Sequence, residues 1–243
     1  MPVAVLGDIR AAWSDSRHGD LHPFRGDGDA ALVRLATGVV GPRAGDMSGP
    51  PGVYWLRQMH GTTVHLAAAD SPSASGAGGP VREGDALVAT SPLVCLAMLT
   101  ADCPSIALGS SEGVFAAVHA GWRGLTAGVV EAAVDVMRVL GATTVAGALG
   151  PCIHAECYQF SDRDLDVVAA RYGDGVRAET SSGKPALDLP ATVGAALDRS
   201  GVRQVPGVDA CTACSGPYFS HRARADTGRQ ALVVWSAAGD GRP

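Results

Sequence analysis

Short apolar runs separated by turn residues dominate the middle of the chain. They occur at residues 53–58, 86–89, 93–99, 105–109, 114–118, 145–149 and 231–235. Most of these runs are continuously apolar rather than alternating, so we expect strands in a sheet that is covered on both faces.

Other segments have the period of helices. Apolar residues recur at three- and four-residue steps from Gly124 to Leu140, and Gly141 follows as a stop signal. Ser161 with Asp164 is the pattern of a capping box, which predicts that a helix begins there. Further helices are predicted over 189–199 and 30–37.

The remaining segments carry turn residues and are interpreted as loops. Residues 15–20 and 25–29 are of this kind, and Ser71–Pro80 is rich in Ser, Pro, Gly and Ala. Strands mixed with separate helices predict an α+β fold, in which mixed β-sheets pack against flanking helices. We expect one domain over residues 1–243.

Composition narrows the class of protein. The chain has 243 residues, 47% of them hydrophobic, and a net charge of -5, which excludes a disordered chain and disfavours a nucleic-acid binder. Neither a membrane span nor a signal peptide is evident, so we expect a cytoplasmic monomer without a membrane partner. In that compartment the six cysteines favour thiols, ligands or nucleophiles over disulfides.

Two motifs carry the candidate chemistry. Ala101-Asp102-Cys103-Pro104 and Val118-His119-Ala120-Gly121 flank two predicted strands that are joined by a four-residue turn. If Gly109 pairs with Val114, Pro104 faces His119. Directly opposed residues have Cβ atoms about 5 Å apart, so Cys103 and His119 would lie side by side, even after a register slip of one or two residues.

A Cys beside a His suits two chemistries. Cys103 and His119 can form a nucleophile pair, or they can bind a metal together with His60. Two His and one Cys leave the fourth position of a tetrahedral zinc site open. Asp102 can orient a ligand or carry a proton, and purely structural roles for these residues stay open.

Basic residues and further cysteines supply secondary candidates. Arg123 precedes the predicted helix at Gly124, a favourable place for phosphate, and Arg222 and Arg229 can also bind phosphate. The Cys211-Thr212-Ala213-Cys214 spacing suggests a metal or redox site, but Cys152 and Cys157 match a second ligand pair only loosely. We therefore interpret these four as free thiols.

The motifs together resemble one family. The YfiH-like, laccase-domain purine nucleoside phosphorylases, long labelled multicopper polyphenol oxidases, are similar over roughly residues 50–236. The motifs that carry the resemblance are Gln58-Met59-His60-Gly61, Gly84-Asp85-Ala86, Thr100-Ala101-Asp102-Cys103-Pro104, His119-Ala120-Gly121-Trp122-Arg123-Gly124, Gly150-Pro151 with Tyr158, Cys211-Thr212, Tyr218-Phe219-Ser220 and Thr227-Gly228-Arg229.

The resemblance implies a site and an activity. It implies zinc on His60, Cys103 and His119, with Cys103, Asp102 and His119 as catalytic residues. The implied reaction is phosphorolysis of adenosine or inosine; methylthioadenosine cleavage and adenosine deamination are also attributed to the family. The implied partners are therefore a small nucleoside and phosphate. Trp122 can stack on the purine or fill core.

The chain also departs from the family pattern. His154 stands where the family usually has Gly, Gln159 replaces a Glu, and His221 replaces a Tyr. The usual Arg-Arg pair is split by Ala223. These departures bear on substrate preference rather than on the metal site.

Two alternatives to the phosphorylase remain open. One is a hydrolase or amidase that attacks a cell-wall precursor with Cys103. The other is a zinc-stabilised interaction module, which would have a closed site with four ligands. A copper laccase is disfavoured, because seven histidines are few for several copper centres.

Overall fold

The computed structural model of the chain describes residues 1–41, 51–69 and 82–238, so the predicted loop Ser71–Pro80 lies outside the described residues. The strands are β1 (Val3–Leu6), β2 (Ile9–Trp13), β3 (Gly52–Tyr54), β4 (Val64–Leu66), β5 (Ala86–Ala89), β6 (Val94–Thr100), β7 (Ser105–Ser110), β8 (Phe115–His119), β9 (Val145–Leu149), β10 (Arg177–Glu179), β11 (Pro185–Leu187), β12 (Arg203–Gln204) and β13 (Gln230–Ser236). The α-helices are α1 (Gly28–Val40), α2 (Trp122–Ala127), α3 (Val129–Val139), α4 (Asp162–Tyr172), α5 (Leu189–Arg199) and α6 (His221–Arg224).

Two mixed sheets form the centre of the fold. The first sheet has the order β1-β2-β13-β6-β3, and the second has the order β12-β9-β7-β8-β5-β4. Most neighbouring strands are antiparallel, but β3 runs parallel to β6, and β4 and β12 run parallel to β5 and β9. Strands β10 and β11 pair separately. The predicted α+β class with mixed sheets and flanking helices is confirmed.

The two sheets face each other and are covered on their outer sides by helices. Apolar residues of both sheets share one core, in which Met98 of the first sheet and Phe115 of the second are fully buried. Helix α1 packs on the outer face of the first sheet, and α3, α4 and α5 pack on that of the second. Because every residue of β6 is buried, its side chains fill both neighbouring layers, as its continuous apolar run predicts.

The predicted helix from Gly124 to Leu140 is wrong in one respect, because the structure has two helices there. Helix α2 already begins at Trp122, and Gly128 separates it from α3. Gly128 has a φ of 100° and donates to the carbonyl of Gly124, so it ends α2 as a left-handed cap. Glycine adopts this conformation without the steric cost that a side chain imposes.

The N-terminal segment is more ordered than its sequence pattern indicates. Strands β1 and β2 were not predicted. Val3 and Val5 of β1 are apolar although they are 55% and 57% exposed, so this strand lacks the alternation of apolar and polar residues expected of an edge strand. Helix α1 is longer than the predicted 30–37, and the strand predicted over 53–58 ends at Tyr54. Strand 145–149 and helix 189–199 have the predicted bounds.

Within the described residues, the helices are too short or too polar for a membrane crossing.

Candidate metal centre

The hairpin of β7 and β8 brings Cys103 close to His119. Gly109 pairs with Phe115 rather than with the predicted Val114, so Ser105 instead of Pro104 lies opposite His119. The turn is one residue shorter than predicted, because the N–H of Ser110 donates a hydrogen bond to the carbonyl of Val114 and Gly113 adopts a φ of 82°. The shift of one residue preserves the predicted proximity.

His60 completes a group of three donors, the His–Cys cluster. The ligand atoms of His60, Cys103 and His119 lie within 4.8 Å of one another. The Cys103 Sγ is 3.8 Å from His60 Nε2, and the two imidazole rings are perpendicular, with centroids 4.8 Å apart. The structure therefore brings together all three residues that the sequence proposes as ligands.

Asp85 holds the histidines of this cluster in place, and it was not proposed as a site residue from the sequence. It lies just before β5, is fully buried, and accepts a 2.8 Å hydrogen bond from the Nδ1 of His119. Its oxygens also accept the backbone N–H groups of Met59, His60 and Gly61. A carboxylate on Nδ1 directs the Nε2 of His119 to a metal. Its only sequence signal is the Gly84-Asp85-Ala86 motif.

The cluster changes the acidity of its members. Burial raises the pKa of the Cys103 thiol, but hydrogen bonds and charge from His119 and His60 outweigh burial and lower this pKa to about 6. Burial lowers the pKa of His119, yet its bonds to Asp85 and Cys103 raise it to about 9. The arrangement therefore favours a thiolate, the form of cysteine that binds metal or attacks an electrophile.

The backbone around the cluster is strained and tightly packed. His60 and Asp102 have φ angles of 60° and 95°, and only Ala225 shares a positive φ among the non-glycine residues that the structure describes. Such conformations cost about 1–3 kcal/mol each and concentrate at functional sites. At Gly121 a Cβ would stand 2.7 Å from the His60 ring, so the close approach requires glycine.

Asp102, predicted to be catalytic, is buried and makes hydrogen bonds within the protein. One carboxylate oxygen accepts the hydroxyl of Thr212 at 2.7 Å, and the other accepts the backbone N–H of Arg222 at 2.7 Å. Its carbonyl accepts the N–H of Ile153. Asp102 thus joins the segment that carries Cys103 to helix α6 and to the loops that contain Thr212 and Ile153.

A cavity of about 560 Å³ adjoins the His–Cys cluster and is lined by all three of its members. The predicted phosphate ligands Arg123, Arg222 and Arg229 also line it. Sequence reasoning missed other lining residues, namely His22, Pro23, Phe24 and Arg57. The first three lie between the predicted loops 15–20 and 25–29, and nothing in their local pattern indicates a site.

The three predicted arginines differ in their surroundings. Arg123 lies in the first turn of α2, not before it, and its guanidinium stacks 4.4 Å from the Trp122 ring centroid. Arg222 stacks on Tyr158 at 4.8 Å. Arg229 donates to carbonyls of its own loop, and burial lowers its pKa. The cavity therefore combines cationic groups with aromatic faces.

The aromatic wall of the cavity is fixed from behind. Trp122 packs against Phe160 with ring centroids 5.2 Å apart, and Tyr158 contacts the same ring at 5.2 Å. Trp122 therefore packs against the core and also faces the cavity.

The departures from the family pattern fall in different places. His221 lines the cavity, at the start of α6. The carbonyl of Gln159 accepts a hydrogen bond from Arg222. His154 lies away from the cavity, where its N–H bonds to the sulfur of Cys211 at 3.4 Å. Only His221 touches the space where a substrate would bind.

The chain matches one protein family over most of its length and is similar to bacterial members of known name. Residues 43–237 match the family described as "Multi-copper polyphenol oxidoreductase laccase". The chain is similar to a purine nucleoside phosphorylase of Streptomyces coelicolor, with 41% identity over 76% of each chain. It is also similar to one of Mycobacterium tuberculosis, with 37% identity over 77% of this chain and 74% of the relative.

A solved structure has the same fold. The hypothetical protein YfiH of Bacillus licheniformis superposes with a TM-score of 0.79 at 22% identity, over 94% of this chain and 92% of that one. At this identity the likeness supports the fold alone, whose two-sheet arrangement positions the His–Cys cluster.

Proposed function

The chain belongs to the multi-copper polyphenol oxidoreductase laccase family, and from that premise we propose that it is a zinc-dependent purine nucleoside phosphorylase. The observation that carries the proposal is the His–Cys cluster opening into a cavity lined by arginines and aromatic rings. The names of the two bacterial relatives support the same activity.

The donor set supports zinc as the metal. Two imidazoles and one thiolate form a three-ligand set that suits catalytic zinc, and the adjoining cavity leaves room for a fourth ligand from solvent or substrate. The second donor group among the described residues contains no histidine, so it does not resemble the imidazole-rich centres of copper oxidases. Bound zinc would polarise a substrate oxygen or acidify a water molecule.

In phosphorolysis the residues around the cavity would hold the phosphate and the purine. A phosphate oxygen forms a bond to the anomeric carbon of the sugar, while the bond from that carbon to the purine nitrogen breaks. The electron pair leaves with the purine, which takes up a proton. Arg123, Arg222 and Arg229 hold the phosphate, since guanidinium groups bind its oxygens in pairs. Trp122 and Tyr158 offer faces for the purine.

Asp102 serves this reaction as a positioning residue. Both of its oxygens are hydrogen-bonded within the protein, to Thr212 and to the backbone of Arg222. It therefore sets the relative position of Cys103, which follows it in sequence, and of an arginine that binds phosphate. His119, oriented by Asp85, and Cys103 act at the reacting centre.

The test supplies adenosine, inosine or methylthioadenosine with and without phosphate and identifies the sugar product. The proposal predicts a sugar 1-phosphate and the free base only when phosphate is present, and no product with the His119→Ala variant. Release of unphosphorylated sugar at the same rate without phosphate would contradict it. Ammonia from adenosine would reveal deamination as a further activity of this site.

A Cys103 hydrolase is the second candidate, because the pKa of the Cys103 thiol is lowered to about 6. Such an enzyme would attack an amide, for example in a cell-wall precursor, and form an acyl bond to the sulfur. Intact-mass measurement with amide substrates distinguishes the two: only the hydrolase predicts an acylated Cys103 and activity that survives chelation. The cavity beside three donors disfavours the interaction module, which would have a closed site with four ligands.

A further inference from the structure

A second group of donor side chains lies outside the His–Cys cluster. The ligand atoms of Glu156, Cys157, Cys211 and Cys214 all lie within 4.8 Å of one another. We call this group the cysteine cluster. None of the four lines the cavity. The sequence favours free thiols here, because a structural zinc site needs a second ligand pair and Cys152 and Cys157 match one only loosely.

Three backbone contacts hold together the two segments that carry these donors. The pair of residues Cys152 and Cys211 forms a parallel β-bridge, which places the loop after β9 beside the Cys211-x-x-Cys214 turn. In that turn the N–H of Ser215 donates a hydrogen bond to the carbonyl of Cys211 at 2.8 Å. The N–H of Cys157 donates a hydrogen bond to the carbonyl of His154 at 3.0 Å. These contacts therefore hold the backbone on both sides of the cluster.

Two of the sulfur atoms make polar contacts, and one of these contacts is typical of a metal-bound thiolate. The backbone N–H of His154 donates to the Cys211 Sγ at 3.4 Å, and the Cys214 thiol donates to Glu156 Oε1 at 3.4 Å. A backbone N–H directed at a sulfur stabilises its charged form. The first contact orients a ligand, and the second places the carboxylate beside the sulfurs.

We propose that Glu156, Cys157, Cys211 and Cys214 bind a second zinc ion, which serves a structural role. Three thiolates and one carboxylate complete a tetrahedral zinc site without a position for substrate, and the spacing of Cys211 and Cys214 matches that of structural zinc turns. Each thiol loses its proton to solvent when the metal binds. The site then carries three thiolates, one carboxylate and a divalent cation.

This zinc ion would stabilise one wall of the cavity. Thr212 lies within the Cys211–Cys214 turn and donates its hydroxyl to Asp102 at 2.7 Å. Tyr158, which directly follows Cys157, lines the cavity and stacks with Arg222. The metal would therefore hold in place the turn that supports Asp102 and the segment that carries Tyr158, without contacting the substrate itself.

Zinc content of the purified full-length chain tests this proposal separately from activity. The wild type should contain two zinc ions per chain, and the Cys157→Ser and Cys214→Ser variants should each contain one. His119→Ala should also contain one, because it loses the other ion. Cys152→Ala is the matched control: this cysteine is buried beside the cluster but is not among its donors, so its variant should keep two.

Cobalt keeps the proposal testable if a variant does not fold. Cobalt titrated into metal-free Cys103→Ser, which lacks the thiol of the His–Cys cluster, should still produce intense thiolate-to-metal charge-transfer absorption from the cysteine cluster. The proposal would be overturned if this variant gave no such band and if His119→Ala contained no zinc. An intact mass showing a disulfide among these thiols in freshly purified wild type would overturn it as well.

Discussion

The pKa of a cysteine thiol is shifted in opposite directions in the two donor clusters. In the His–Cys cluster, imidazole neighbours outweigh burial and lower the pKa of Cys103 to about 6. In the cysteine cluster, burial and other thiols raise the pKa of Cys157 to about 12. A thiol beside imidazoles is ready for chemistry, whereas thiols grouped with one another need a cation to ionise.

The surroundings of the two clusters differ in the same sense. The three donors of the His–Cys cluster line a cavity of about 560 Å³, while the four donors of the cysteine cluster line none of it. Three ligands beside a cavity suit a catalytic metal, and four ligands without one suit a structural metal. Asp102 connects the two regions through its hydrogen bonds with Thr212 and with the backbone N–H of Ile153.

The largest effect is expected from a change that disturbs the orientation of His119. Asp85→Asn replaces the carboxylate that accepts its Nδ1 proton, and loss of such a partner weakens metal affinity or activity by about 10–100-fold. We expect a loss of this size in zinc affinity of the His–Cys cluster, measured by competition with a chelator. The cysteine cluster should be unaffected.

Asp15→Asn is the control for Asp85→Asn. Asp15 is also buried and accepts hydrogen bonds from Arg17 and His18, but neither partner belongs to the His–Cys cluster. Its variant should keep the zinc affinity and activity of the wild type. Equal losses in both variants would show that Asp85 acts only through folding.

An intermediate effect is expected from loss of Arg123, which we assign to the phosphate site. Arg123→Ala removes one guanidinium, and a hydrogen bond to a charged group contributes about 1.5–3 kcal/mol. Because Arg123 is exposed, we expect the lower end, a roughly tenfold rise in the KM for phosphate. Arg163→Ala removes an exposed charge from α4 and should leave KM unchanged. An unchanged KM in both variants would remove Arg123 from the phosphate site.

The smallest effect is expected where the two regions meet. Thr212→Val keeps the shape of the side chain but removes the hydroxyl that donates to Asp102. The free energy of unfolding should fall by about 1 kcal/mol, and kcat should fall with it. Thr192→Val changes an equally buried threonine on α5, so it should lower stability without changing kcat. A Thr212→Val enzyme with unchanged kcat would show that the regions are independent.

The sequence predicts the His–Cys cluster because its parts are local in the hairpin of β7 and β8. Two motifs flank one turn, and the one-residue error in register, caused by Gly113, does not separate Cys103 from His119. His60 was found through the motif that contains it. Asp85 was missed as a site residue because a buried carboxylate at the start of a strand has no periodicity that reveals its partners.

The cysteine cluster was beyond local reasoning for a physical reason. Cys157 meets Cys211 and Cys214 through the parallel bridge between Cys152 and Cys211, and that contact joins loops from distant parts of the chain. Spacing along the sequence records only the Cys211–Cys214 pair. The same limit applies to Phe24, which lines the cavity from a segment without a clear pattern.

An anomalous difference map at the zinc absorption edge, from crystals of the full-length chain, tests the contrast between the clusters most directly. The account predicts two peaks. One should lie among His60, Cys103 and His119 with a non-protein fourth ligand, and the other should lie among four protein ligands at the cysteine cluster. A peak at the His–Cys cluster with four protein ligands, or no peak there in active protein, would contradict the assignment of that cluster as the catalytic centre.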